Sequence, residues 1–144
     1  LSLRAVIDAI AAAVVGVAPS YAPTTRFRHE PRAQVAPYDW IRQPQRSARE
    51  FAIEIDSIMA SPNGCLMQAE LVLTVAYQAK DAHHTVMAGE DAGQLVQTLR
   101  NPSSWSGAAA SVVPGEATMD ETITVENRPV VRLVAIPITA VYYP

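Results

Sequence analysis

The stretch of sequence that most constrains the fold is residues 66–78. A period of two residues places its apolar side chains on both faces of a strand: Leu71, Leu73, Val75 and Tyr77 on one, and Val72, Thr74 and Ala76 on the other. A strand that is apolar on both faces is covered on both sides, which is typical of a central strand. The sequence therefore predicts a sheet built around residues 66–78.

The rest of the chain supplies two helices and further strands. Apolar residues recur at helical spacing over 3–17 behind the N-cap residue Ser2, and a second helix is predicted to end at Arg100, with Glu90 and Asp91 in its first turn. The alternation over 49–58, followed by Ser-Pro-Asn-Gly, predicts a hairpin with the central strand. Shorter strands are expected near 110–113 and 119–126, and a long one over 130–142, where Pro137 requires an edge or a bulge. These elements predict one α+β domain over 1–144, with a mostly antiparallel sheet packed by two helices.

Residues 19–49 have no sustained period and contain five prolines, which predicts a long extended arm or loop. Residues 1–49 carry seven arginines against three acids, a net charge of +4, whereas residues 50–144 carry -7. Interleaved arginines and aromatics are typical of single-stranded nucleic-acid binding and also of subunit interfaces. The acidic remainder of the chain favours docking on another subunit. The candidate contact residues are Arg26, Phe27, Arg28, Arg32, Tyr38, Trp40, Arg42 and Arg46.

No motif predicts catalysis or cofactor binding. His83, His84 and Asp81 lack further ligands at metal-site spacing, so a solvated turn is the preferred interpretation. Glu90 and Asp91 are adjacent on a helix and do not face one another, as a carboxylate pair for acid–base chemistry would. The six glycines are scattered and form no phosphate-binding loop. The sequence predicts a protein that is not an enzyme and has no catalytic residue, metal or cofactor.

Two features bear on location. The single cysteine, Cys65, excludes an internal disulfide and fits a reducing compartment. The N-terminal stretch has the outline of a signal peptide, with Arg4 before a small apolar run, but Asp8 within the run opposes that interpretation. The run is also too short and too interrupted to cross a bilayer, so no membrane association is expected.

In their order and patterns these elements resemble the tail terminator (gpU-like, tail completion) proteins of long-tailed bacteriophages. The resemblance lies in the N-terminal helix, the strand ending Val75-Ala76-Tyr77, the helix with Glu90-Asp91, Leu95 and Leu99, and the closing strand 133–138 before the terminal tyrosines. It implies a structural virion protein at the junction of tail and head, assembled in the host cytoplasm.

The resemblance also implies partners. Such proteins form a ring, typically of six copies, that caps the finished tail tube and offers a docking surface to the head completion or connector protein. DNA passes through the lumen without sequence-specific binding. Acidic side chains of the 49–58 strand are candidates for the lumen wall: Glu50, Glu54 and Asp56.

Two other functions compete with a tail terminator. A head–tail joining (neck) protein or a tail tube protein would also form rings. A small ligand-binding α+β domain or an enzyme would instead have a cleft between sheet and helix with convergent polar groups.

Overall fold

The computed structural model describes residues 2–30, 48–60, 62, 64–79, 82–125 and 128–144. Its helices are α1 (Leu3–Val15) and α2 (Ala82–Arg100), followed by a short 3-10 turn (Pro102–Ser104). Its strands are β1 (Arg28–His29), β2 (Glu50–Ala60), β3 (Met67–Gln78), β4 (Ser111–Pro114), β5 (Thr118–Val125) and β6 (Arg128–Tyr142). The strands form one sheet in the order β1-β2-β3-β6-β4, with β5 also paired to β6. All pairs are antiparallel except β1 with β2. The predicted α+β fold is confirmed.

Strand β3 is central, as the sequence predicts. It pairs along its length with β2 and β6, and Val75 lies opposite both Phe51 and Val134. Its helix-facing side chains are fully buried: Ala69, Leu71, Leu73, Val75 and Tyr77. On the other face, Ala76 joins a smaller buried cluster made by Ala52, Val131 and Leu133. The second half of β3 is therefore covered on both faces, while Val72 in the first half is only partly buried.

The two helices pack on the same face of the sheet. The side chain of Ser2 accepts a hydrogen bond from the amide of Ala5 (3.2 Å), which caps α1 as expected. The apolar stripe of α1 consists of Val6, Ile10, Ala11 and Val14, and that of α2 includes Met87, Ala88, Ala92, Leu95 and Leu99. Both stripes enter one main core with the helix-facing residues of β3 and β6.

Helix α2 begins earlier than the sequence pattern indicates. It starts at Ala82, so His83 and His84 lie in its first turn and the prediction of a polar loop there is wrong. Glu90 and Asp91 consequently lie near its middle rather than in the first turn. The first turns of α2 are polar, and side-chain hydrogen bonds hold them in place. Tyr21 Oη lies 2.7 Å from His83 Nδ1, and His84 Nδ1 accepts from the Gln78 amide at 3.0 Å.

Pro137 lies inside the sheet at a local break. One side of β6 is paired continuously with β3, and the other side passes from β4 to β5. The Pro137 carbonyl accepts a hydrogen bond of 2.7 Å from the Gly115 amide in the link between those two strands. The missing N–H of Pro137 therefore faces the break, where no ladder bond is lost.

The two ends of the predicted arm belong to the core. Phe27 and Arg49 are buried, and β1 extends the sheet in parallel to the start of β2. For residues 19–30 and 48–49, the expectation of an arm outside the core is wrong, because their side chains and carbonyls complete a buried polar cluster described below. Residues 31–47 lie outside the described part of the chain.

Candidate functional site

A buried ionic cluster joins the helices to the sheet. The Arg49 guanidinium forms a bidentate ion pair with Asp91, with Nε 2.7 Å from Oδ2 and Nη2 2.8 Å from Oδ1. The Tyr77 hydroxyl donates to Asp91 Oδ2 at 2.7 Å. All three side chains are fully buried. Arg49 lies just before β2, Tyr77 at the end of β3 and Asp91 in the middle of α2.

Every donor of the Arg49 guanidinium is used. Nη1 donates to the carbonyls of Ala22 (2.6 Å) and Thr25 (2.7 Å), and Nη2 also donates to the carbonyl of Tyr21. The guanidinium carbon lies 5.5 Å from the centroid of the Phe27 ring. Because a guanidinium has five N–H donors and all five are bonded within the chain, none is left for a ligand. The cluster fixes residues 21–27 onto the core and is structural.

The electrostatics of the cluster agree with that interpretation. Burial raises the pKa of the Tyr77 hydroxyl well above its ordinary value, and the charge and hydrogen bond of Asp91 raise it further, against a smaller opposing effect of Arg49. Tyr77 is therefore a neutral donor near neutral pH and is not poised to exchange a proton there. A general acid or base needs a pKa close to the working pH and access to a substrate.

A sequence signal for the buried cluster was present in the helical pattern. Asp91 lies four residues after Met87 and four before Leu95, on the stripe that packs against the sheet. A carboxylate on such a stripe requires a buried cation. The position of that cation could not be read from the pattern, because Arg49 adopts a positive φ of 61° at the strand start and lies 42 residues away.

The second half of β2 is the most exposed apolar surface among the described residues. From Glu54 to Ala60 every side chain is exposed, whereas Glu50–Ile53 are buried. Ile55, Ile58 and Met59 are 50%, 46% and 49% exposed. An irregularity between Ile55 and Ser57 puts one extra residue, Asp56, in β2 relative to β3. This surface, residues 54–60, is called the β2 surface below.

The backbone edge of β2 is also available. On this edge the Phe51 carbonyl accepts from the Glu30 amide at 2.8 Å. Alternate residues of a strand direct their backbone groups to the same side, so those of Ile53 and Ile55 face the same edge. Among the described residues, only β1 pairs there, and its register ends at Phe51. An exposed edge strand with apolar side chains is a typical site of protein association.

The structure disperses the residues predicted to contact partners. Arg26 is exposed, Phe27 is buried in the core, and Arg28 forms an ion pair with Glu50. Phe27 is therefore unavailable to a partner, and Arg28, although half-exposed, already has an internal one. The other five predicted contact residues lie outside the described part of the chain: Arg32, Tyr38, Trp40, Arg42 and Arg46.

The three acids predicted to line a lumen do not form one exposed face. Glu54 and Asp56 are exposed on the β2 surface. Glu50 is buried beneath its pairing with Arg28, because β1 covers the start of β2. The candidate lumen set is thereby reduced to Glu54 and Asp56.

Two grooves of the described structure are open rather than enclosed. One groove of about 530 Å³ lies between α2 and the β4–β5 link and has Arg100 and Glu116 at its wall. Another, of about 450 Å³, lies beside Ser20, Glu90 and Gln94, of which Gln94 bonds the Ala18 carbonyl at 2.7 Å. Within the described ranges no three metal-ligating side chains cluster, and no helix there is long and apolar enough to span a membrane.

No protein-family model matches the chain, and no curated protein matches its sequence.

Proposed function

We propose that this protein is a structural virion subunit that acts by assembly, as a tail terminator whose ring caps a phage tail tube and presents the docking surface for the head. The observation that carries the proposal is the β2 surface. Of seven large apolar side chains exposed among the described residues, three lie within five consecutive positions of β2. Clustered apolar exposure on an edge strand favours a protein partner over a small ligand.

The distribution of polar groups supports the same function. The Arg49 guanidinium has no donor left for a substrate. The two grooves beside α2 are open. Small-molecule sites are typically enclosed and have convergent polar groups. A subunit that works through contact surfaces needs neither.

The charge distribution favours a ring in particular. A closed cyclic ring uses heterologous contacts, in which one patch of a copy meets a different patch of the next. Residues 1–49 are basic and residues 50–144 are acidic, so two copies attract through unlike regions. In this proposal the copies are six, the tail tube protein lies on one side of the ring and the head connector on the other, and DNA passes through the lumen.

The proposal is tested by the mass and shape of the assembly. Analytical ultracentrifugation and negative-stain images of the purified chain, alone and with tail tubes, should show rings of about six copies bound at tube ends. Rings that stack into tubes would instead indicate a tube protein, and rings that bind only the head connector would indicate a neck protein. A chain that stays monomeric at every concentration, and also with tubes and with the head connector, would refute all three.

A further inference from the structure

We infer that the β2 surface is the acidic half of the contact between neighbouring subunits, and that its occupant is the basic segment 31–47 of a second copy. This inference rests on the proposed ring function and names the surfaces that would join the copies. It also assigns Glu54 and Asp56 to a subunit contact rather than to a lumen wall.

The same strand already shows this chemistry at its buried end. There β2 receives β1, with Arg28 opposite Glu50 in the strand register, and the two side chains form an ion pair. Beyond Phe51 the strand continues with Glu54 and Asp56 exposed beside Ile55 and Ile58. The exposed half of β2 is paired with β3 on one side, and on its outer edge it continues the acidic strand that β1 occupies, with no described strand there.

Pairing of β2 with β2 of another copy is disfavoured by charge. An antiparallel pair of identical strands would bring Glu54 and Asp56 of the two copies close together, and like charges opposite one another destabilise a sheet. The extra residue at Asp56 also disturbs the regular edge that such pairing needs. The occupant must therefore be a different, basic surface.

The basic segment supplies that surface. Of the seven arginines in residues 1–49, Arg49 is buried and Arg28 is paired with Glu50 inside the chain. Residues 31–47 hold three arginines and one acid, a net charge of +2, together with Tyr38 and Trp40. Arg26, which lies on the N-terminal side of this segment, is also exposed. Arginine, tyrosine and tryptophan are the residues most enriched in protein interfaces.

Charge reversal with mixing tests the contact. Glu54→Lys with Asp56→Lys makes one variant, and Arg32→Glu with Arg42→Glu makes the other. Each variant alone should associate at least about tenfold more weakly than the wild type in sedimentation equilibrium, because it faces like charges at the contact. An equimolar mixture should restore association, because each reversed surface then meets a reversed partner. Glu90→Lys with Glu116→Lys is the matched control, since it changes the same net charge at exposed positions away from β2.

The outcomes separate this inference from the proposed function. A wild type that never assembles overturns both. A wild type that assembles while the β2 variant assembles equally well overturns the inference alone. A further outcome is that association returns only in a chain that carries all four substitutions, and not in the mixture of the two variants. That result would place segment 31–47 on the β2 surface of its own chain and would also overturn the inference. Circular dichroism checks the fold of every variant, and the β2 variant and the control should keep it because Glu54, Asp56, Glu90 and Glu116 are exposed.

Discussion

At the scale of the residue, the structure depends on one buried cation. Arg49 is the point at which three backbone carbonyls of residues 21–25, the Asp91 carboxylate and the Phe27 ring converge. A buried guanidinium is tolerated only when its charge is matched and its donors are satisfied. Both conditions hold for Arg49, so loss of one partner should cost far more than loss of an exposed ion pair.

Asp91→Asn tests this dependence. The substitution keeps the shape of the side chain but leaves the Arg49 charge unmatched in the core. The free energy of unfolding should fall by about 3–5 kcal/mol, as for other buried pairs broken on one side. Urea denaturation measures the change. Arg4→Gln is the control, because the Arg4–Asp8 pair is long at 3.9 Å and its side chains are 91% and 69% exposed, so its loss should leave the midpoint unchanged. Equal effects of the two substitutions would contradict a structural role for the cluster.

The raised pKa of Tyr77 predicts that the fold loses stability at high pH. Burial, together with Asp91, raises the pKa of Tyr77 in the folded chain. At a pH below the ordinary tyrosine pKa, the hydroxyl is therefore neutral in both the folded and the unfolded chain, and its hydrogen bond to Asp91 is fully present. As the pH rises above about 10, the unfolded chain ionises first, and stability falls by up to about 1.4 kcal/mol per pH unit for this group.

The comparison with Tyr77→Phe isolates that group. The variant should be less stable than the wild type at pH 7, by about 1.5–3 kcal/mol, because it lacks a hydrogen bond to a charged acceptor. The difference should shrink between pH 10 and 11, where only the wild type carries this ionisation. Denaturant midpoints measured from pH 7 to 11 give both values, and parallel curves for the two proteins would show that Tyr77 is not the cause.

At the scale of the element, periodicity gave the strands and missed the long-range polar contacts. The alternation over 66–78 predicted a central β3 hairpinned with β2, and both are present. The start of α2 was missed because its first turns hold polar residues that are bonded to Tyr21 and Gln78, which a pattern of apolar residues cannot report. The Arg49 cluster was missed for a similar reason, since Asp91 and Tyr21 lie 42 and 28 residues from Arg49 along the chain.

Replacement of glycine by alanine should have opposite effects on stability at two positions. A Cβ at Gly115 would lie 2.9 Å from Cγ of Pro137, at the break between β4 and β5, whereas a Cβ at Gly93 in α2 would meet nothing within 4 Å. Gly115→Ala should therefore destabilise the fold by about 1–3 kcal/mol through overpacking. Gly93→Ala should stabilise it by about 0.5–1 kcal/mol, because alanine favours a helix interior over glycine. Thermal denaturation of the two variants measures both changes in stability. A loss of stability in Gly93→Ala would contradict the open space that the structure shows around Gly93.

At the scale of the whole molecule, the stretch 19–49 contains residues with two different roles. Residues 19–30 and 48–49 complete the core through Phe27, Arg49 and the carbonyls that Arg49 binds. Residues 31–47 carry a basic and aromatic composition suited to a contact outside that core. The core-forming role and the proposed assembly role can therefore be separated by deletion.

Two deletions make the separation. Replacing residues 31–47 by a Gly/Ser linker of about eight residues, long enough to join the ends of β1 and β2, should leave the circular dichroism spectrum and the denaturant midpoint close to those of the wild type. Removing residues 20–48 should unfold the chain, because it deletes Phe27 and three carbonyl partners of Arg49 and so leaves buried donors unsatisfied. If the second deletion folded as well as the first, the buried cluster would not be what fixes this stretch to the sheet. If the first deletion folded and still formed wild-type rings, the basic segment would have no part in joining the subunits.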